Sequence, residues 1–374
     1  MNFSNIGCDT IHFVYLGYPL PKYAVASIKL AKEYSGMKVH LLASEKNKKF
    51  INSLLINFTP LEDFYNNKIF EIPEKNLLND KNFLNGFWLK TLERFFVLSQ
   101  FVKKNKLDIF FHAELDQLLF GIDELVLNIE KSKKIGIFIP FHSNTEAIAS
   151  VFYCNNIHSL DSLLMTASTT GYRNEMELIA SCAQNNPNLF MALPTMASKI
   201  MGSNIAKSKN IFELSPTALG GVVDAAQVGA WIAGTDVFHT PMNQMPKTKF
   251  VEPLRDNLLT RQHLEKFKFQ IDFEKNQLNI VFDNTFLIRI FNLHIHSKIH
   301  QSLAGPRSLL TQLFETANQD EPVSLKAARK LHLKNILDRV VRNISSANKI
   351  LLMFRKILKI LNKKINNFLK KKAR

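Results

Sequence analysis

From residue 11 onward, short apolar runs alternate with amphipathic stretches. IHFVYLG (11–17) predicts a strand that closes at Gly17, AVASIKLAKEY (24–34) a helix, and MKVHLLAS (37–44) a second buried strand. Strand, helix, strand is the opening of a parallel α/β sheet. Residues 84–104 place Phe87, Thr91, Phe95, Leu98 and Val102 at steps of three and four, an amphipathic helix. It leads into LDIFFHAELDQLLF (107–120), a strand ending among acids, and then into strands at KIGIFIP (134–140) and SVFY (150–153). Residues 159–167, 174–184 and 225–234 predict helices, the last closed by Gly234. From 267 the period changes to two. FQIDF, LNIVF, FLIRIF and LHIHSKI, with the turn-like EKNQ and DNT between strands, predict a small antiparallel element, and 308–317 starts a helical C-terminal section. No GxGxxG follows the first strand, so the dinucleotide-binding fingerprint is missing.

Composition changes this picture little until charge is located. With 374 residues and 46 % hydrophobic content the chain can bury a large core, which excludes disorder over most of its length. Its net charge of +16 suggests an anionic partner. Residues 326–374, however, carry 16 Lys and Arg against the single acid Asp338, leaving 32 basic and 31 acidic side chains in residues 1–325. The body is therefore near neutral and the excess belongs to one tail. In 349–369, Ile350, Phe354, Ile357, Leu361, Ile365 and Phe368 recur at helical spacing, with Lys349, Lys356, Lys359, Lys363 and Lys370 mostly on the other side. Such a helix suits an anionic membrane surface. The alternatives are packing on a partner or on its own body, and nucleic acid, which is not expected: the tail lacks the interleaved aromatics of a single-strand platform. Three widely spaced cysteines, no signal peptide and no apolar run long enough to span a bilayer indicate a cytoplasmic protein, peripheral on the inner face of the membrane.

Several constellations carry residue types suited to chemistry. Glu114 and Asp116 stand at i and i+2 after the apolar strand that ends His112-Ala113. Two carboxylates at the carboxyl end of a sheet strand can converge on Mg²⁺ or Mn²⁺ and leave positions open for diphosphate oxygens; the alternative is a solvated acidic turn. In NLHIHSK a strand would put Asn292, His294, His296 and Lys298 on one face, a metal ligand plus a phosphate-binding ammonium, or else a partly exposed sheet face. Asp224, after Gly220-Gly221, can cap the helix that follows or serve as a general base toward an acceptor hydroxyl. Lys90 and Arg94, four residues apart on one helix beside Trp88, could reach a diphosphate or form a solvated face. Gly17 is placed with this donor-binding set.

FWLKTLERFFVLSQFVKKNKL followed by HAELDQLLF, then GGVVDAAQVGAWIAGTD and NLHIHSK, in that order, resembles bacterial glycosyltransferases of the GT-A fold over about residues 11–300. The family carries an FW…ERF helix before a strand ending in an HxExD form of the metal-binding DxD. The resemblance implies a GT-A-like, Rossmann-type mixed sheet flanked by helices, with residues 1–305 as the catalytic domain, 306–345 a helical extension and 346–374 a basic amphipathic tail. It also implies a nucleotide diphosphate sugar donor, a divalent metal on Glu114, Asp116 and one of His294 or His296, and a glycan or lipid-linked acceptor in surface polysaccharide synthesis such as that of lipopolysaccharide. Gln117 departs from the aliphatic residue of the family, and TDVFHTPMNQ from its DPRN-like segment. A nucleic-acid-binding protein acting through its tail and an inactive transferase-like scaffold are the competing expectations.

Overall fold

The structure is a computed structural model and describes residues 8–64, 75–78, 86–202, 210–233 and 259–295. The sections 306–345 and 346–374, together with His296 and Lys298, lie outside the described residues.

Eight strands form the central sheet: β1 (Thr10–Tyr15), β2 (Lys38–Ala43), β3 (Asn57–Pro60), β4 (Phe110–Ala113), β6 (Ile137–Pro140), β7 (Val151–Cys154), β8 (Phe190–Leu193) and β9 (Phe212–Glu213). Their spatial order is β3-β2-β1-β4-β7-β6-β8-β9. β7 runs antiparallel to both of its neighbours and every other pairing is parallel. The sheet is thus mixed, as the resemblance implies; the alternation of apolar runs and amphipathic stretches predicts its parallel part, and β7 is the antiparallel exception. Its inner strands are buried on both faces because helices cover each, while the edge strands β3 and β9 stay partly exposed. Val14, Phe110, Phe152 and Ile139 pack with the helices Phe87–Lys104, Ile157–Thr169 and Glu175–Asn185 on one side. Ile11, Phe13, Phe111 and Tyr153 pack with Lys22–Tyr34 and Ile122–Lys131 on the other. No helix among the described residues is long and apolar enough to cross a membrane.

Three histidines interrupt the first of these apolar faces. His12 pairs in register with His40 on β2 and with His112 on β4, so the three imidazoles form a ladder across adjacent strands. His12 Nδ1 and His40 Nδ1 are 2.9 Å apart, His40 Nε2 is 2.9 Å from Thr59 Oγ1, and His112 Nδ1 donates to the His12 carbonyl at 2.8 Å. Phe101 packs on His12 and His40, and Phe95 on His112. Burial pushes the pKa of His12 and His112 down to about 3 and that of His40 to about 4, so all three are neutral near pH 7.

Two expectations are corrected. The strand expected over 107–120 is broken at Glu114–Asp116: β4 ends at Ala113 in the main sheet, and β5 (Gln117–Leu119) leaves it. A tight turn makes the break, with the Gln117 amide donating to the Glu114 carbonyl at 3.3 Å. The antiparallel element has three strands, β10 (Phe267–Asp272), β11 (Gln277–Phe282) and β12 (Phe286–Ile290). The fourth apolar run starts β13 (Asn292–His294), which pairs antiparallel with β5 instead. Asn292, Leu293, His294 and Ile295 are all buried, so this strand has no solvated face and its period-two pattern does not report exposure.

Candidate active site

The turn after β4 and the end of β1 open a cleft of about 340 Å³ at the carboxyl ends of the parallel strands. That is where ligands sit in open α/β sheets, because side chains there leave the hydrogen-bonded ladder and can converge. Tyr15, Tyr23 and Trp88 supply rings to its wall, and Glu114, Asp116 and Glu175 supply acids.

β13 returns beside β5 and brings His294 to the two acids. His294 Nε2 lies 3.2 Å from Asp116 Oδ1 and 3.6 Å from Glu114 Oε2, and one ligand atom from each residue falls within 4.8 Å of the others. Donors on adjacent positions of a metal with bonds of about 2.1 Å are about 3 Å apart, so the set fits one small cation with little movement. Burial works against charge on His294, but Asp116, Glu114 and Asp224 hold its pKa above the ordinary histidine value. A proton on the ring and a divalent cation are therefore alternative ways to neutralise the same carboxylates.

Arg94 is buried among these groups rather than on a solvated face. It forms an ion pair with Glu114 Oε1 at 2.5 Å and stands 3.6 Å from Glu175 Oε1. Burial opposes its charge, but the two glutamates raise its pKa above the usual arginine value. Because Arg94 takes Oε1 of Glu114, Oε2 is the atom turned toward His294. Lys90, one turn earlier, is exposed at the cleft wall. Gly17 also lines the cleft, and a Cβ there would stand 2.7 Å from the Tyr15 hydroxyl.

Asp224 does not reach the cleft, which corrects its candidacy as a general base. Oδ1 accepts the amides of Gln227 and Val228 at 2.8 and 2.9 Å, and Oδ2 those of Gly229 and His294 at 2.8 and 3.0 Å. A carboxylate has about four acceptor directions, and all are taken by backbone. Asp224 is thus the cap of the helix Gln227–Ala233, and it also ties that helix to β13. Gly229 allows the contact: a Cβ there would lie 2.1 Å from the His294 carbonyl oxygen. Asn292 completes the clamp. Its Oδ1 accepts the Asp224 amide at 2.8 Å, and its Nδ2 donates to the Asp224 carbonyl at 3.1 Å and to Gln117 Oε1 at 2.9 Å.

The sequence reading missed Glu175, Tyr15 and Tyr23 as cleft residues and Asn292 as a linker. Glu175 carries one signal, an acid directly after Asn174 at a helix start, and that signal reads as capping. Gln117, a polar residue inside an apolar run, accepts the bond from Asn292 in the interior.

No family model matches the sequence, and no curated protein matches it. Among solved structures, the chain is similar to mouse xyloside xylosyltransferase 1 in its apo form, at 12 % identity over 50 % of this chain and 84 % of that one, with a TM-score of 0.37. It is similar to the galactosyltransferase LgtC in complex with donor and acceptor sugar analogues, at 14 % identity over 56 % and 85 % with a TM-score of 0.33. A cytidylyltransferase from Leptospira borgpetersenii serovar Hardjo-bovis gives 13 % identity over 50 % and 77 % and a TM-score of 0.31. These are loose likenesses of architecture.

Proposed function

We propose that the protein is a metal-dependent glycosyltransferase that moves a sugar from a nucleotide diphosphate donor to a glycan or lipid-linked acceptor in bacterial surface polysaccharide synthesis. The observation that carries this reading is the convergence of Glu114 and Asp116, from the turn after β4, with His294, from β13, in a cleft at the carboxyl end of the sheet. A divalent cation held by these three residues would supply positive charge to the diphosphate as it departs. An imidazole beside two carboxylates favours Mn²⁺ over Mg²⁺, which prefers oxygen alone. Arg94 orients Glu114, Lys90 offers an ammonium to the phosphates from the wall, and Trp88, Tyr15 and Tyr23 offer rings to the nucleoside. His296 and Lys298 follow β13 directly, and the same reading assigns them to the diphosphate side. The basic tail 346–374 places the enzyme on an anionic leaflet, where lipid-linked acceptors reside.

Thermal melting with a panel of nucleotide sugars, with and without Mn²⁺, tests the reading. A bound donor raises the apparent melting temperature by mass action. We expect Mn²⁺ and one class of donor together to raise it more than either alone, and Asp116→Asn to lose the joint effect. A protein indifferent to every donor, whose Asp116→Asn variant responds to Mn²⁺ as wild type does, refutes it. For the tail, truncation after Ser346 should abolish salt-sensitive sedimentation with anionic vesicles; equal binding by both forms counts against that role.

A further inference from the structure

The acids lining the cleft among the described residues are Glu114, Asp116 and Glu175. The first two face His294, while Glu175 meets Glu114 only through the Arg94 guanidinium they share. It comes from the first turn of the helix Glu175–Asn185, a start fixed by the Asn174 side chain, which accepts the Glu177 amide at 2.8 Å. The Thr91 hydroxyl donates to Glu175 Oε2 at 2.6 Å, which fixes the plane of the carboxylate. Oε1 lies 3.6 Å from Arg94 Nη2, whose closer partner is Glu114 at 2.5 Å. At 3.6 Å that contact is longer than a hydrogen bond, so Oε1 keeps its lone pairs for a substrate hydroxyl. With Asp224 saturated by backbone amides, Glu175 is, among the described residues, the one acid of the cleft outside the cation group.

We propose that Glu175 is the general base of the transfer, a role that rests on the glycosyltransferase reading. It takes the proton of the acceptor hydroxyl as that oxygen bonds to the anomeric carbon of the donor sugar. The bond from that carbon to the diphosphate oxygen breaks, and its electron pair leaves with the nucleoside diphosphate. A base that takes the proton of the incoming hydroxyl serves a single displacement, so the product has inverted configuration. Burial raises the affinity of Glu175 for a proton, with Arg94 pulling the other way. Thr91 is a positioning residue, since its hydroxyl holds Oε2 and so fixes where Oε1 stands.

The test uses the full chain with Mn²⁺ and UDP-, GDP- and dTDP-linked hexoses, following release of nucleoside diphosphate with water as acceptor. Glu175→Ala should lower kcat by at least about 100-fold, with the donor KM and the Mn²⁺ affinity read by electron paramagnetic resonance within about twofold of wild type. Azide, which needs no proton removed, should restore release in this variant and yield a glycosyl azide of inverted anomeric configuration. Wild-type turnover by Glu175→Ala, absence of azide rescue in a variant that still binds Mn²⁺ and donor, or a product of retained configuration overturns the proposal. Should Glu175→Ala not fold, Thr91→Val keeps the question open to measurement: a fall in kcat of about fivefold or more at unchanged KM supports the role and wild-type kcat overturns it. Wild-type protein that binds Mn²⁺ yet releases nucleoside diphosphate from none of these donors instead overturns the glycosyl-transfer reading, and the base with it.

Discussion

His112 and Glu114 are separated by one residue at the end of the same strand, yet they enter two different kinds of polar cluster. His112 joins His12 and His40 inside the sheet, where the imidazoles bond to one another, to Thr59 and to backbone, and aromatic rings close over them. Nothing there carries charge near neutral pH. Glu114 lies just past the last ladder position of β4 and joins Asp116, Arg94, Glu175 and His294, a group rich in charge that lines a cleft. Burial of polar side chains is therefore no mark of a site in itself. Where the strand is still paired, burial selects neutral groups; where the strand has ended, charge can be kept because opposite charges and a cleft are available to balance it.

The largest expected effect lies on the charged side of this comparison. Removing an outer partner of a metal ligand costs about 10–100-fold in affinity, so Asp116→Asn, which removes a ligand itself, should cost at least about 100-fold in Mn²⁺ affinity. Far-UV circular dichroism and the melting temperature should stay close to wild type. An unchanged Mn²⁺ titration would erase the distinction between the clusters. Next is Asp224→Ala, which strands four amide donors that now bond its carboxylate. We expect a loss of roughly 3–5 kcal/mol in urea unfolding, together with weaker Mn²⁺ binding because the His294 backbone is no longer held. Full stability with lost turnover would restore Asp224 as the base. Gly229→Ala should cost roughly 1–3 kcal/mol, since its Cβ would meet the His294 backbone at 2.1 Å for the carbonyl oxygen and 2.8 Å for the amide nitrogen. It should also weaken Mn²⁺ binding by displacing β13, a change visible in the same titration.

These three variants mark how unevenly the site was legible. Glu114 and Asp116 could be read because the apolar run before them fixes where the strand ends and the acids stand directly after it. The helix cap by Asp224 was equally local, a matter of one side chain and the next few amides. His294 was legible only as one of two histidines. The partner of its strand, β5, lies 175 residues earlier in the case of Asn292 and Gln117, and no local pattern encodes that pairing. The pattern of LHIHSKI suits the preceding meander as well, because period two does not distinguish an exposed face from a face buried against polar partners. Glu175 was hidden for a related reason: an acid in a first helical turn looks like a response to the helix dipole until the fold brings Arg94 and Thr91 against it. The sheet itself was readable because both of its faces are covered, which forces continuous apolar runs into the sequence.

The neutral cluster makes its own prediction in acid. Its three histidines have folded pKa values of about 3 to 4 against an unfolded value of 6.5, so the unfolded chain takes up protons first as pH falls. The stability they contribute is fully present above about pH 6.5 and is lost progressively below it, at a limiting slope of about 1.4 kcal/mol per pH unit for each histidine. Urea midpoints measured from pH 7 to pH 4.5 should fall accordingly. A flat profile across that range would mean that the imidazoles are not neutral and enclosed.

The smallest effect separates the two clusters most cleanly. Thr59 lies on β3 and its hydroxyl bonds His40 Nε2 at 2.9 Å, at the far end of the ladder from His112. Valine has nearly the same shape and a good strand propensity, so Thr59→Val removes this one bond and little else. The expected cost is about 1 kcal/mol, seen as a small drop in the urea midpoint. The ladder is fixed by backbone pairing between β1, β2 and β4, and β4 is what carries Glu114 and Asp116 to the cleft. Losing a side-chain bond at the β3 edge leaves that pairing intact. Mn²⁺ affinity should therefore stay within about twofold of wild type, a free-energy change below about 0.5 kcal/mol. A variant that loses Mn²⁺ binding while keeping its stability would show that the histidine ladder communicates with the acids two residues away and that the two clusters act as one.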